Sequence, residues 1–260
     1  MVNQEAEEWF SLGYVQYERG NLEGAIAFYK KVVEIKPDFY KAWYNWGEAL
    51  YELGRFGEAI AAYDKAIAFK PDLYQAWYSR GNVLYNLGRF GEAIACLDKA
   101  IEFKPDYEEA WYNRGVALGK LGRVEGAIAS YDKALAIKPD YQEAWYNRGM
   151  ALGKLGQFEG AIASYDKAIE FKFDKHEAWN NRGIALKNLG RFEEAIASYD
   201  KAIEFKLDKH EAWHNRGVAL RKLGDLEGAI ASFDKALAIK PDYQEAWHNR
   251  SMAISELSDR

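Results

Sequence analysis

The chain is poor in the residues that most often carry chemistry or cross-links. One cysteine in 260 residues, Cys96, excludes an internal disulfide. The four histidines, His176, His210, His214 and His248, form no Cys/His cluster. His210 and His214 stand i, i+4 on one predicted helix, a spacing that suits a divalent ion, but Glu211 between them points elsewhere and no third ligand is evident, so no metal is expected. A glycine-rich phosphate loop and a nucleophile elbow are both missing, and neither catalysis nor a cofactor is expected. No apolar run approaches the ~20 residues that span a bilayer. The start, Met1-Val-Asn-Gln-Glu, carries no signal peptide, which makes the cytoplasm the expected compartment. With 35 basic and 40 acidic residues mixed along the whole length, a net charge of −5 argues against nucleic acid or an anionic membrane as partner.

What the chain does have is a period. Trp9, Trp43, Trp77, Trp111, Trp145, Trp179, Trp213 and Trp247 are each 34 residues apart with no insertion or deletion between them. A fixed period of that size is the signature of a stacked-repeat protein. Counting each repeat from three residues before its Trp gives 6–39, 40–73, 74–107, 108–141, 142–175, 176–209 and 210–243, with a half repeat at 244–260. A solenoid is one quasi-one-dimensional unit, so residues 1–260 are expected to form it without a domain boundary.

Within a repeat, apolar or small residues at positions 4, 8, 11 and 14 give a first helix (A) one buried stripe, and positions 17, 20, 21, 24, 27 and 28 do the same for a second (B). Glycine at position 15 suits the left-handed residue that closes helix A. Aspartate at position 33 is expected to cap the next helix A, with a capping box where a Glu follows three residues on, as in Asp106/Glu109 and Asp140/Glu143. In the second repeat, Trp43, Gly47, Leu50, Ala59, Tyr63, Ala66 and Pro71 occupy positions 4, 8, 11, 20, 24, 27 and 32. That pattern resembles the tetratricopeptide repeat family over almost the whole chain. The resemblance implies an all-α, right-handed superhelix of fifteen helices that serves as an interaction scaffold; the family shares a scaffold and not a ligand.

Two departures are informative. Position 7 is Arg in repeats 3 to 8 (Arg80, Arg114, Arg148, Arg182, Arg216, Arg250) but Leu12 and Trp46 in the first two. Position 25 is Asp in repeats 2 to 7 but Lys30 in the first. Pairing each Asp with the Arg sixteen residues later makes the one link that lacks the Arg the same one that lacks the Asp, which predicts an inter-repeat Asp–Arg ladder. Cys96 at position 23, where other repeats carry Ala62 or Ser130, is expected to be a packed thiol. The five prolines all stand at position 32, where repeats 5 and 6 have Phe173 and Leu207; helix B either runs longer there or tolerates the change.

Stacking is expected to turn the A-helix face of positions 2, 5, 6, 9, 12 and 13 inward as a concave binding surface. Position 6 holds Asn45, Asn113, Asn147, Asn181, Asn215 and Asn249, a poor choice for a helix facing only water. An amide that donates and accepts suits a peptide bond, and the column is similar to the asparagine ladder of O-GlcNAc transferase, which that resemblance implies would hold a peptide backbone. The same column also fits a family consensus that satisfies a neighbouring helix. Flanking columns change along the chain. Position 5 carries Tyr44, Tyr78, Tyr112 and Tyr146 before Asn180, His214 and His248; position 12 carries Tyr51 and Tyr85, then Gly119 and Gly153, then Lys187 and Arg221. Position 13 gains Lys120, Lys154 and Lys222. The expected ligand is an extended peptide, aromatic or apolar toward the first repeats and acidic toward the last; a solvated face of drifting composition is the alternative. The family's carboxylate clamp implies Lys or Arg at positions 5 and 6, which this chain never has, so a chaperone tail is not the expected partner. End-to-end self-association and service as the substrate-selecting arm of a larger enzyme are the competing functions.

Overall fold

A computed structural model describes residues 2–259, all in helices and the short turns between them. Met1 and Arg260, the outermost residues of the expected array, lie outside the described residues. Two compact units are distinguished, one up to Ile137 and one from Lys138 on. The first contains α1 (Val2–Glu18), α2 (Leu22–Ile35), α3 (Tyr40–Glu52), α4 (Phe56–Phe69), α5 (Tyr74–Asn86), α6 (Phe90–Phe103), α7 (Glu108–Lys120) and α8 (Val124–Ile137). The second contains α9 (Gln142–Lys154), α10 (Phe158–Phe171), α11 (His176–Asn188), α12 (Phe192–Phe205), α13 (His210–Leu223), α14 (Leu226–Ile239) and α15 (Gln244–Ser258). In each unit, odd-numbered A helices and even-numbered B helices alternate, and each helix packs on its sequence neighbours.

The hairpin is closed by a glycine and, in all repeats but the third, where Gly81 meets Leu97, an aromatic ring. A Cβ on Gly47 would stand 2.5 Å from Tyr63 Cε1, and one on Gly149 would stand 2.7 Å from the same atom of Tyr165, so only glycine lets the fully or nearly buried ring of helix B lie across helix A. Ser251 takes the glycine's place in α15, which no B helix follows among the described residues. The rest of the stripe on helix A differs from expectation. Its buried residues are the alanines of positions 3 and 10, such as Ala42 and Ala49, beside Gly47 and Leu50. Position 14 is not in the core: Leu53, Leu87 and Leu121 are 38–45% exposed, because that residue is the C-cap, where the chain is already leaving the helix for Gly54 and its equivalents at φ 72–82°.

The expected capping box is also absent. Helix A starts one residue later, with position 34 as N-cap (Phe39, Leu73, Tyr107, Tyr141, Lys175, Lys209, Tyr243), and none of these side chains caps. The turn is set elsewhere. The indole Nε1 of Trp43 donates to the carbonyl of Pro37 at 2.8 Å, and the same bond recurs from Trp179 to Phe173 and from Trp213 to Leu207. The indole therefore needs only a backbone oxygen at position 32. Helix B accordingly keeps its 14 residues in α10 and α12 despite the lost proline.

Neighbouring repeats are joined by the expected ladder. Arg80, Arg114, Arg182, Arg216 and Arg250 donate through Nε to Asp64, Asp98, Asp166, Asp200 and Asp234 at 2.5–2.7 Å. All of these but Arg250, together with Arg148, reach the other way as well. Nη1 of Arg114, Arg148, Arg182 and Arg216 donates to Ser130, Ser164, Ser198 and Ser232 at 2.7–2.8 Å, and Nη1 of Arg80 donates to the sulfur of Cys96. Cys96 is thus a packed thiol that stands in for a serine hydroxyl. Where the Arg is missing, Lys30 lies over the Trp46 ring at 5.5 Å.

Candidate functional site

The A-helix face carries the columns of interest, half-buried rather than free in solvent: Asn45, Asn113, Asn147, Asn181, Asn215 and Asn249 are all of intermediate exposure, as are Tyr44, Tyr78, Tyr112, Tyr146, Tyr51 and Tyr85. The asparagines reach backwards along the stack. Asn113 Nδ2 donates to the Tyr78 hydroxyl at 3.0 Å and to Asn82 Oδ1 at 2.9 Å. Asn181 donates to the Tyr146 hydroxyl at 3.1 Å, Asn215 to Asn180 Oδ1 at 3.3 Å and Asn249 to His214 Nε2 at 3.1 Å. Position 6 of one repeat thus meets position 5 of the repeat before it. The donors of Asn113 are both used, leaving its Oδ1 as an acceptor, while a tyrosine hydroxyl that accepts from asparagine keeps its own proton to donate.

Positions 12 and 13 meet by the same offset. Tyr17 donates to Glu52, Asn86 Nδ2 donates to the Tyr51 hydroxyl at 3.0 Å, and Arg221 Nη1 lies 3.7 Å from Glu256 Oε1. The Arg221 side chain is only 13% exposed and its Nη1 makes no hydrogen bond. Lys187, one repeat earlier, is half-buried, and desolvation pushes its pKa down. Lys120, Lys154 and Lys222 are exposed.

Hollows open on this face, among them two in each unit. In the first unit one of about 190 Å³ is lined by Tyr14, Tyr17, Tyr44, Asn45 and Glu48, and one of about 260 Å³ by Tyr51, Tyr85, Asn113 and their neighbours. In the second unit one of about 180 Å³ includes Tyr146, Asn180, Asn181, His176 and Lys209, and one of about 300 Å³ includes Gly153, Lys154 and Asn181. Added Cβ atoms at Gly119 and Gly153 would meet nothing within 4 Å, so both helical glycines border open space. Of the charged candidates, only Lys154 lines one of these four hollows.

Sequence reasoning placed position 9 on this face but gave its residues no role. That position supplies Tyr14, Glu48 and Asn82 in the first repeats and Val116, Met150 and Ile184 later, and that polar-to-apolar switch was the available signal. Of the histidine pair, His214 is engaged within the fold at both ring nitrogens, Nδ1 with the Tyr243 hydroxyl at 3.3 Å and Nε2 with Asn249; His210 Nδ1 lies 3.2 Å from Glu211, which does not point elsewhere as expected.

No curated protein matches the chain. Solved structures do. YrrB, described as a TPR protein with an unusual peptide-binding site, is 26% identical with a TM-score of 0.68, over 74% of this chain and 99% of YrrB. MamA is 26% identical with a TM-score of 0.61, over 64% of this chain and 97% of MamA. The C-terminal part of a TPR repeat-containing protein from Cytophaga hutchinsonii is similar in fold, with a TM-score of 0.78 at 19% identity over 92% of this chain and 98% of that one. The TPR repeat family matches residues 13–54, 47–88, 81–122 and 118–156, and further tetratricopeptide repeats match 143–173 and 180–243. With helix–turn–helix repeats, the glycine-on-ring hairpin and these matches together, the chain belongs to the tetratricopeptide repeat family.

Proposed function

We propose that this protein is a non-catalytic scaffold that binds an extended peptide segment along its A-helix face. The observation that carries the reading is the asparagine–tyrosine pairing, in which an amide oxygen left to accept sits beside a phenol left to donate, the complement of a peptide bond. A-helices ~8–10 Å apart and a peptide advancing ~3.3 Å per residue allow one such pair for every three or so peptide residues. YrrB, similar in fold and sequence, is described as having a peptide-binding site, which supports the same reading. Selectivity comes from the flanking columns: tyrosines in the first repeats, and Lys187 with Arg221, each short of an anionic partner at hydrogen-bond distance, for an acidic segment in the last. The test is a peptide array probed with the wild type and with Asn113→Ala/Asn181→Ala/Asn215→Ala, helicity being checked by circular dichroism. Loss of capture with the helices intact is expected; undiminished capture removes the mechanism. End-to-end self-association keeps one observation in its favour, the exposed apolar residues Leu12 and Val15 on α1 and Trp247 and Met252 on α15, and concentration-dependent scattering tests it.

A further inference from the structure

The hollow between α1 and α3 differs from the other three in its chemistry. Three tyrosines line it with Asn45 and Glu48, a carboxylate with no lysine or arginine beside it; the hollow at Tyr51 and Tyr85 also lacks a cation but holds no carboxylate. Its one lining carboxylate is held by a phenol rather than by a cation, Tyr63 donating to Glu48 Oε1 at 2.6 Å; nearby, Tyr17 donates to Glu52, and the proximity of Glu18 raises the pKa of Tyr14. Arg55, the arginine nearest in sequence to Glu52, spends its guanidinium on Glu23 and Glu58. Among the described residues Glu18, Glu48 and Glu52 form no ion pair. Lys41, one turn before Asn45 on α3, is exposed and does not line the hollow.

A second observation lies beneath it. Tyr29 is 0% exposed, and its hydroxyl has no hydrogen-bond partner. Asn45 is near enough to act on this phenol without reaching hydrogen-bonding geometry, and Tyr14 and Glu18 also act on it; desolvation, the largest influence, pushes its pKa up to about 12. In the next repeat the equivalent phenol, Tyr63, has Glu48 as acceptor at position 9; Tyr29 faces Tyr14 at that position and is left over. A buried hydroxyl without a partner is destabilising, and a ligand N–H would satisfy its oxygen.

We propose that this hollow seats the guanidinium of an arginine in the bound peptide, between tyrosine faces, against the Glu48 carboxylate and above the Tyr29 hydroxyl. Electron-rich ring faces attract a cation, and the planar guanidinium stacks on them while its five N–H groups fan out to separate acceptors. Glu48 and Asn45 Oδ1 are acceptors of that kind lining the hollow, and the buried Tyr29 oxygen lies behind Asn45 and Tyr14. The proposal rests on the peptide-binding reading for how the side chain arrives, and it gives the ligand a direction: basic at the α1–α3 end, acidic toward α11 and α13.

The experiment titrates the full chain, labelled with nitrogen-15, with acetyl-Gly-Arg-Gly-amide and with its citrulline counterpart, which keeps the shape and lacks the charge. Saturable shifts at Tyr14, Tyr17, Tyr44 and Asn45 are expected with the arginine probe, weakening as salt rises, and affinity for citrulline at least about tenfold lower, a difference of about 1.4 kcal/mol. Glu48→Gln keeps an acceptor for Tyr63 and removes the charge, so it is expected to lower arginine affinity by a similar factor. Tyr14→Leu, at a residue 49% exposed, provides a second variant should Glu48→Gln disturb the hairpin. Equal affinity for the two probes, or shifts confined to other acidic residues, overturns the proposal. Long peptides captured equally with and without arginine would sink the seat and leave the scaffold standing; an arginine probe that binds while no long peptide is captured would do the reverse.

Discussion

The two units share a core and differ in their lining. Gly115 against Tyr131 in the first and Gly183 against Tyr199 in the second are the same contact, with a Cβ 2.6 Å from the ring in both. On the A-helix face the first unit offers Tyr44, Tyr51, Tyr78, Tyr85 and Glu48, and the second offers Asn180, His214, Lys187 and Arg221. Core columns are fixed by packing, since at these distances a single methyl group collides. Lining columns answer to no such constraint, so their drift from aromatic and acidic to amide and basic is what the proposed selectivity rests on.

The comparison is broken most severely through the shared part. Gly115→Ala and Gly149→Ala are each expected to destabilise by about 1–3 kcal/mol through overpacking, measured by denaturant unfolding. A large cost in one unit and none in the other would mean the cores are not equivalent. Gly153→Ala is the control: beside open space it is expected to stabilise by about 0.5–1 kcal/mol while narrowing the hollow it lines.

Next in size is the lining. Lys187→Met with Arg221→Met is expected to weaken binding of an acidic peptide about tenfold, or about 1.4 kcal/mol, and to leave binding of the arginine probe in the first unit unchanged. Fluorescence anisotropy with the two labelled peptides measures both. Equal losses for both would erase the polarity between the units.

The smallest effect is a pH dependence confined to the second unit. Burial lowers the pKa of His214, and Asn249 donates to its Nε2, a bond available only to the neutral ring. The fold therefore prefers the unprotonated form. Stability is complete above the unfolded pKa of about 6.5 and is lost as pH falls from there toward the lower folded value. His214→Asn, the residue found at the same position one repeat earlier, is expected to flatten thermal stability against pH over that window. An unchanged slope would place the titration elsewhere.

The period, the hairpins and the ladder were legible because they depend on residues recurring at fixed spacing; Lys30 and Trp46 could be matched only because both break the pattern at one junction. The helix start was misread because the aspartate at repeat position 33, such as Asp38, has the right chemistry for a cap, while the indole bond to position 32 and the turn hydrogen bonds, such as Phe39 N to Lys36 O at 3.1 Å, delay the helix by one residue. Position 14 was misread because a leucine at helical spacing looks buried until the C-cap tilts it out. The asparagine column was placed on the correct helix, yet its donors go to the preceding repeat, 35 residues back, an offset that only the register between stacked helices fixes.

The grip of the position-7 arginines on the preceding repeat bears on how such a chain changes length. Excising residues 176–209 would bring Arg216 onto Asp166 and leave every latch matched. Excising residues 40–73 would instead set Arg80 against Lys30, two like charges where a cation lay over an indole. Whole-repeat loss or duplication is therefore structurally silent among the later repeats and penalised at the first junction, so growth and shrinkage of the array are steered toward its far end.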